Sequence, residues 1–341
     1  MSSKDTKETN VLAQASILMV AGIVTRIIGV LYRSPVTSII GDEGNGYYSI
    51  AVNIYTMILL ISSYSIPMAV SKVVSAKMAV HQYKIAHKVF KCALIYVLVI
   101  GGIASLITFF GASVLIPSNQ PKAIPVLRIL APTIFFSGFL GVFRGYFQAH
   151  RMMIPTSLSQ IVEQVFNAFF SVYLAWVFMS INIPEGMTKN IPLASAGGTM
   201  GTGIGALAGL VVVVFAYCLI RPYLLWRAER CKQPYEESKR ELMGRVLQTA
   251  WPIIAGTAVF SITNLIDMGM VVRILQQIGF SEENARALYG QLSGKYVTLT
   301  TLPVTISTAV ATAALPSIAT SVKLKERKQV RRKMTLTIAF P

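Results

Sequence analysis

Three charged residues stand inside stretches that are otherwise apolar: Arg26, Glu163 and Asp267. If such a stretch is a helix in lipid, a guanidinium or carboxylate at its centre costs on the order of 2.5–3.5 kcal/mol, so each needs a partner or a task. Arg26 and Arg33 are seven residues apart and share a helix face, where two guanidinium forks can bond the oxygens of an anionic group such as a pyrophosphate. Glu163 belongs to a longer set. Thr156, Gln160, Glu163, Asn167 and Ser171 follow one another at steps of four, three, four and four, which is one polar face about 22 Å long. Carboxylates such as Glu163 and Asp267 suit the binding and release of a coupling ion, Na+ or H+.

Other apolar stretches carry stripes with the same rhythm: Gly22, Arg26, Gly29 and Arg33; Ser49, Asn53, Thr56 and Ser63; Thr257, Ser261 and Asn264 with Asp267; and Thr298, Thr301, Thr305, Thr308 and Thr312. Ser, Thr and Asn stripes serve equally well to tie neighbouring helices together, at about 0.6 kcal/mol per contact. For the threonine stripe both readings stand. The charged members favour a shared water-filled cavity, with Glu163, Gln160, Asn167, Asn264 and Asp267 on its wall and Arg26, Arg33 and Asn53 available to an anionic, hydrogen-bonding ligand.

The elements that must position these groups follow from composition. Of 341 residues 54% are hydrophobic and only 13% are charged, against about a quarter charged in soluble domains, so the chain is an all-α, polytopic integral membrane protein. Eight apolar runs are long enough to cross a bilayer, about 11–32, 47–66, 92–116, 124–147, 155–180, 193–220, 246–272 and 289–318, and a ninth begins near Met334. The first is too long for a signal peptide, contains Arg26 and lacks a small-residue cleavage site.

The net charge of +17 reports topology rather than nucleic-acid binding. Loops two, four, six and eight hold 21 Lys and Arg against 5 acids, whereas the odd loops and their helix ends hold 7 against 5. This alternation places the N-terminus and the even loops in the cytoplasm, with contact to anionic membrane lipids, and assigns the chain to the cell membrane. In FRGYFQAHR (143–151), Arg144 and Arg151 are accordingly topological anchors; Pro155 opens the fifth helix, and Gln164 lies off the stripe with no assigned role.

Several chemistries are disfavoured. Cys92, Cys218 and Cys231 lack ligand spacing, GQLSGK (290–295) is one residue short of a phosphate-binding loop, and no DxD occurs, so neither an enzyme nor a metal or other cofactor is expected. Gly197, Gly201, Gly205 and Gly209 form consecutive GxxxG steps, which point to close helix packing. The residues 221–245 form a polar linker between an N-terminal lobe (1–220) and a partial C-terminal lobe (246–341). The glycine-rich turn GDEGNGYYS (41–49), followed by a helix ending at Pro67, is echoed by EENARALYGQLSG (282–294) and a helix ending at Pro316. A matching second lobe would need six helices, so a further C-terminal part is expected.

TRIIGVLYR, IGDEGNGYYSIAVNIY, FRGYFQAHRMMIPTSLSQIVEQ, GTGIGALAGL and NLIDMGMVVRIL together resemble the polysaccharide-transporter branch of the multidrug/oligosaccharidyl-lipid/polysaccharide (MOP) exporter superfamily. Within it, the likeness is to the stage V sporulation protein B group and its relatives among Gram-positive lipid II flippases. The resemblance implies a MATE-like fold of two six-helix bundles about a pseudo-twofold axis, and a central cavity that opens alternately to the two membrane faces. The implied cargo is a lipid-linked glycan on undecaprenyl pyrophosphate. Arg26 matches the family's first-helix arginine, Arg33 falls close to the next, and Lys72 lies near its second-helix basic position. Tyr47 occupies the acidic position, a departure from the pattern. The implied protein is a monomeric flippase coupled to Na+, H+ or the membrane potential, with cell-wall synthesis proteins as candidate partners. A cation-coupled multidrug antiporter and a non-transporting scaffold are the alternatives.

Overall fold

The computed structural model describes residues 3–116, 121–181, 190–229, 237–281, 284, 288 and 297–339, and every element among them is helical. A helical run from Ser3 to Leu59 is broken at Gly41, whose φ of 68° suits a residue without a Cβ. The break separates α1 (Ser16–Gly41) from α2 (Glu43–Ala79). Then follow α3 (Tyr83–Phe110), α4 (Pro121–Ala149), α5 (Met153–Met179) and α6 (Ile191–Glu229). These six are long and apolar enough to cross a membrane. After them come α7 (Lys239–Gln277), α8 (Val297–Lys323) and a short basic helix, α9 (Arg327–Ala339).

Two expectations change. The turn expected at 41–49 is reduced to Gly41 alone, because helix resumes at once on the next residues. The second helix does not end at Pro67. A π-helical turn, Leu60–Tyr64, precedes it, and Pro67 then occupies the first turn of a continuing segment, where its missing N–H leaves no bond unmade. The extra length carries Lys72 and Lys77 within α2. The polar segment 221–245 is helical at both described ends, as the close of α6 and the opening of α7.

Among the described residues three larger apolar clusters organise the bundle, beside a small one of Leu18 and Met153. One, at the α2–α3 turn, joins α2, α3, α4 and α6 through Val70, Val74, Val89, Phe90, Tyr146 and Val213. Phe90 stacks on Tyr146 with ring centroids 4.2 Å apart. The second sets Ala51 and Tyr55 of α2 against Leu127, Leu130 and Ile134 of α4. The third joins α1, α5 and α6 through Val36, Ala175 and Ala194. Outward from these lie exposed large apolar residues, among them Leu106, Ile107 and Phe110 on α3, Phe169 and Trp176 on α5, and Val211, Phe215 and Leu219 on α6. Such a continuous apolar exterior belongs against hydrocarbon rather than water, and the protein is a multi-pass membrane protein.

The most intimate packing is α5 on α6. A Cβ at Gly205 would stand 2.5 Å from the Glu163 carbonyl oxygen and 3.0 Å from the Asn167 Cβ, and one at Gly197 would stand 2.6 Å from the Leu174 carbonyl oxygen. Only glycine permits backbones this close, so the GxxxG series does pack helices.

Candidate functional site

The polar face of α5 is therefore largely covered. Asn167 and Ser171 are buried where the glycine face of α6 closes on them, and Thr156 is buried as well. The expected cavity does not run along this stripe; removing the Cβ atoms from α6 let its backbone occupy the space that would have held water. Asn167 uses both ends of its amide there. Its Oδ1 accepts from Ser171 Oγ at 3.0 Å and from Thr202 Oγ1 at 3.3 Å, while Nδ2 donates to the Tyr32 hydroxyl at 3.3 Å. One side chain thus ties α1, α5 and α6 together.

Glu163 and Gln160 are only partly covered. Glu163 Oε2 accepts from Arg144 Nη2 at 2.7 Å, and Arg144 Nε donates to Ser159 Oγ at 2.9 Å. Ser159 and Glu163 are one helical turn apart, so the planar guanidinium can engage both at once, which a lysine ammonium could not. The side chains are 15% and 28% exposed, so the pair lies within the bundle yet within reach of solvent. Tyr55 of α2, buried, reaches Ser137 of α4 and lies in the field of Glu163. Gln160 Oε1 is shielded beside this group without a hydrogen-bond partner.

Arg144 is the correction to the sequence reading. Assigned as a topological anchor, it instead turns inward and neutralises Glu163. The signal available was its position: it lies five residues inside the end of α4, and Ser159 and Glu163 lie one turn apart on the helix that follows. Tyr32 was also missed, although it neighbours Arg33 and lies three residues beyond Gly29. Gln164, given no role, sets its Nε2 3.2 Å from the place a Gly29 Cβ would occupy, so it packs α5 on α1.

The basic candidates are separated by environment. Arg26 is half-buried on α1 and already engages neighbouring groups, whereas Arg33, Lys72 and Asn53 are exposed. Tyr47, at the family's acidic position, donates to Glu43 Oε1 at 2.5 Å, and Lys122 stands 3.3 Å from the same oxygen. A carboxylate is therefore present one turn before Tyr47. The side chains of Ser261, Asn264 and Asp267 and most of the threonine stripe lie outside the described residues; Thr308 is described and exposed.

Comparison with known proteins places this geometry. Residues 11–322 match the model of a family described as polysaccharide biosynthesis protein. The chain is 28% identical over 329 residues to stage V sporulation protein B of Bacillus subtilis (strain 168), covering 93% of this chain and 60% of that protein. It is 24% identical over 332 residues to lipid II flippase MurJ of the same organism, covering 94% and 60%. The chain thus spans about 60% of the length of these curated relatives. A crystal structure of MATE in complex with Br-NRF superposes with a TM-score of 0.74 at 14% identity, covering 97% of this chain and 72% of that one. At that identity the likeness carries the fold alone, which is the MATE-like fold. With a family match over nearly all of its length and that fold beneath it, this chain belongs to the polysaccharide biosynthesis protein family of membrane proteins.

Proposed function

We propose that the full protein moves a lipid-linked oligosaccharide, an undecaprenyl-pyrophosphate-linked peptidoglycan precursor or polysaccharide unit, across the cytoplasmic membrane by alternating access. The observation that carries this reading is a half-buried guanidinium, Arg26, on an apolar transmembrane helix of a chain related over nine-tenths of its length to a protein named as a lipid II flippase. An arginine there meets a pyrophosphate with two parallel bonds, while the sugar can bond to hydroxyl and amide groups and the lipid tail stays in the bilayer. Lys72, exposed on the cytoplasmic part of α2, can meet the head group before Arg26, and Arg33 and Asn53, exposed on the outer parts of α1 and α2, can meet it after. The N-terminus and the basic loops face the cytoplasm in this reading, in keeping with their charge.

Glu163 is the candidate coupling group, and its partner Arg144 defines how it would work. Binding H+ or Na+ at the carboxylate releases the guanidinium, which links ion binding to the α4–α5 contact. The same pairing counts against a cationic drug as cargo, because the carboxylate is already neutralised.

The test is translocation of fluorescent lipid II by the full-length protein in proteoliposomes. Arg26→Ala lowers the rate about tenfold or more, and Arg26→Lys restores only part of it. Unchanged transport by Arg26→Ala would sink the head-group assignment.

A further inference from the structure

A second ion pair lies far from the stripe. Glu237, just ahead of α7, meets Lys77, 160 residues earlier at the end of α2, with side chains 5% and 8% exposed. Lys88 Nζ of α3 donates to the Glu237 backbone carbonyl at 2.8 Å, and Arg245 Nη1 of α7 stands 3.5 Å from the second carboxylate oxygen. Beneath these charges Leu242, Val246 and Ala250 are fully covered and join the cluster of Val70, Val74, Val89 and Phe90. Farther along α7, Val259, Ile266, Met270 and Ile274 are exposed. The helix is fastened to α2 and α3 by its opening turns, 237–254, at the end of the bundle that holds the α2–α3 turn.

We propose that Lys77, Lys88, Glu237 and Arg245 form a clasp that closes the seam between α2–α3 and α7, and that its release is the step that parts α7 from the six-helix half on this side of the membrane. The physics of a buried ion pair suits a contact that must both hold and let go. Closed, the buried charges depend on each other: removing Glu237 leaves the Lys77 ammonium uncompensated among apolar groups, and removing Lys77 leaves Glu237 only the half-exposed Arg245. Opened, both regain water, which offsets much of the lost attraction. An all-apolar seam has no such compensation. The contact therefore has two discrete arrangements rather than a continuum.

The seam carries its own reporter. Cys92 is 2% exposed, and its Sγ lies 4.0 Å from the Lys239 carbonyl across the same interface. The flippase reading gives release its purpose, but the clasp can be tested without measuring transport. The full-length protein, with every cysteine except Cys92 replaced by serine, is treated in membrane vesicles with membrane-permeant N-ethylmaleimide, so that labelling does not depend on orientation. Cys92 is labelled slowly. Glu237→Gln speeds labelling about tenfold or more, and Lys77→Glu combined with Glu237→Lys returns it to within about twofold of the starting rate. Lys77→Met combined with Glu237→Met labels more slowly than the starting protein, because it locks the seam. Arg245→Gln, a milder change at a half-exposed partner, gives about a twofold rise and serves if Glu237→Gln does not fold. Cys92 protected in both Glu237→Gln and Arg245→Gln, or a swap that fails to restore protection, overturns the clasp. The predicted labelling pattern in a protein inactive toward lipid II would leave the clasp in place and remove the flippase reading instead.

Discussion

The two seams of this molecule solve opposite problems with the same residue types. Between α5 and α6, glycines bring backbones together, and the charges, Glu163 with Arg144, sit at the margin of a dry contact. Between α2–α3 and α7 the order is reversed: apolar residues form the bed, and the charges of Lys77 and Glu237 are sealed on top of it. A glycine seam has no alternative state of comparable energy, since parting it exposes backbone and leaves empty space that no side chain can fill. A sealed ion pair does have one, because separated charges are stabilised by water. The first seam is built to persist and the second to switch.

Breaking the comparison at its strongest point means removing one sealed charge. Lys77→Met leaves the buried Glu237 with only the half-exposed Arg245 beside it and costs up to about 3–5 kcal/mol, taken from the seam. Limited proteolysis within 230–241 should accelerate, and Lys77→Met with Glu237→Met should bring it to the starting rate or below. Next is the glycine seam: Gly205→Leu drives a side chain into the Glu163 backbone and Asn167, neither of which can retreat. A loss of about 1–3 kcal/mol or more follows, read as a lower thermal midpoint in detergent. Unlike Lys77→Met, it should not be rescued by any change at Glu163.

The marginal charges come third. Glu163→Gln keeps the shape of α5 and costs about 1 kcal/mol, because Arg144 retains Ser159 and some access to solvent. Its distinguishing readout is the pH or Na+ dependence of transport, which should flatten while head-group affinity changes little. A full pH response in Glu163→Gln would remove the coupling role.

The smallest effect sharpens the contrast between buried and marginal polar groups. His150, in the turn between α4 and α5, is held below its ordinary value by burial, partly offset by the bond to the Tyr146 carbonyl and reinforced by the nearby Arg227 charge. The folded state then binds fewer protons than the unfolded one, so the contribution is complete above the ordinary value of about pH 6.5 and is lost as pH falls from there through the lowered folded-state value. Thermal midpoints should decline modestly on mild acidification, and His150→Gln should flatten the slope.

Much of this was written in the local order of residues. Hydropathy and the alternation of basic loops locate the helices, the GxxxG steps identify the close-packed face of α6, and the steps of three and four group Thr156, Gln160, Glu163, Asn167 and Ser171 on one side of α5. Periodicity says which residues share a face; it does not say what that face meets. Asn167 and Ser171 read as cavity-lining until α6 is found lying on them, and Arg144 reads as an interfacial anchor until its fork is found on Ser159 and Glu163. Pro67 reads as a helix end because the π-turn that accommodates it leaves no mark in composition.

What the sequence determined by itself is the solvent, the class of fold and the family, because these depend on composition and short-range spacing summed along the chain. What only the tertiary structure decided is which charges are partnered. Lys77 and Glu237 are 160 residues apart, one in a basic loop-end cluster and the other in a polar linker, and nothing local connects them. A charge's energy in a membrane protein is set by the few ångströms around it, and those are assigned by helix packing rather than by neighbours in sequence.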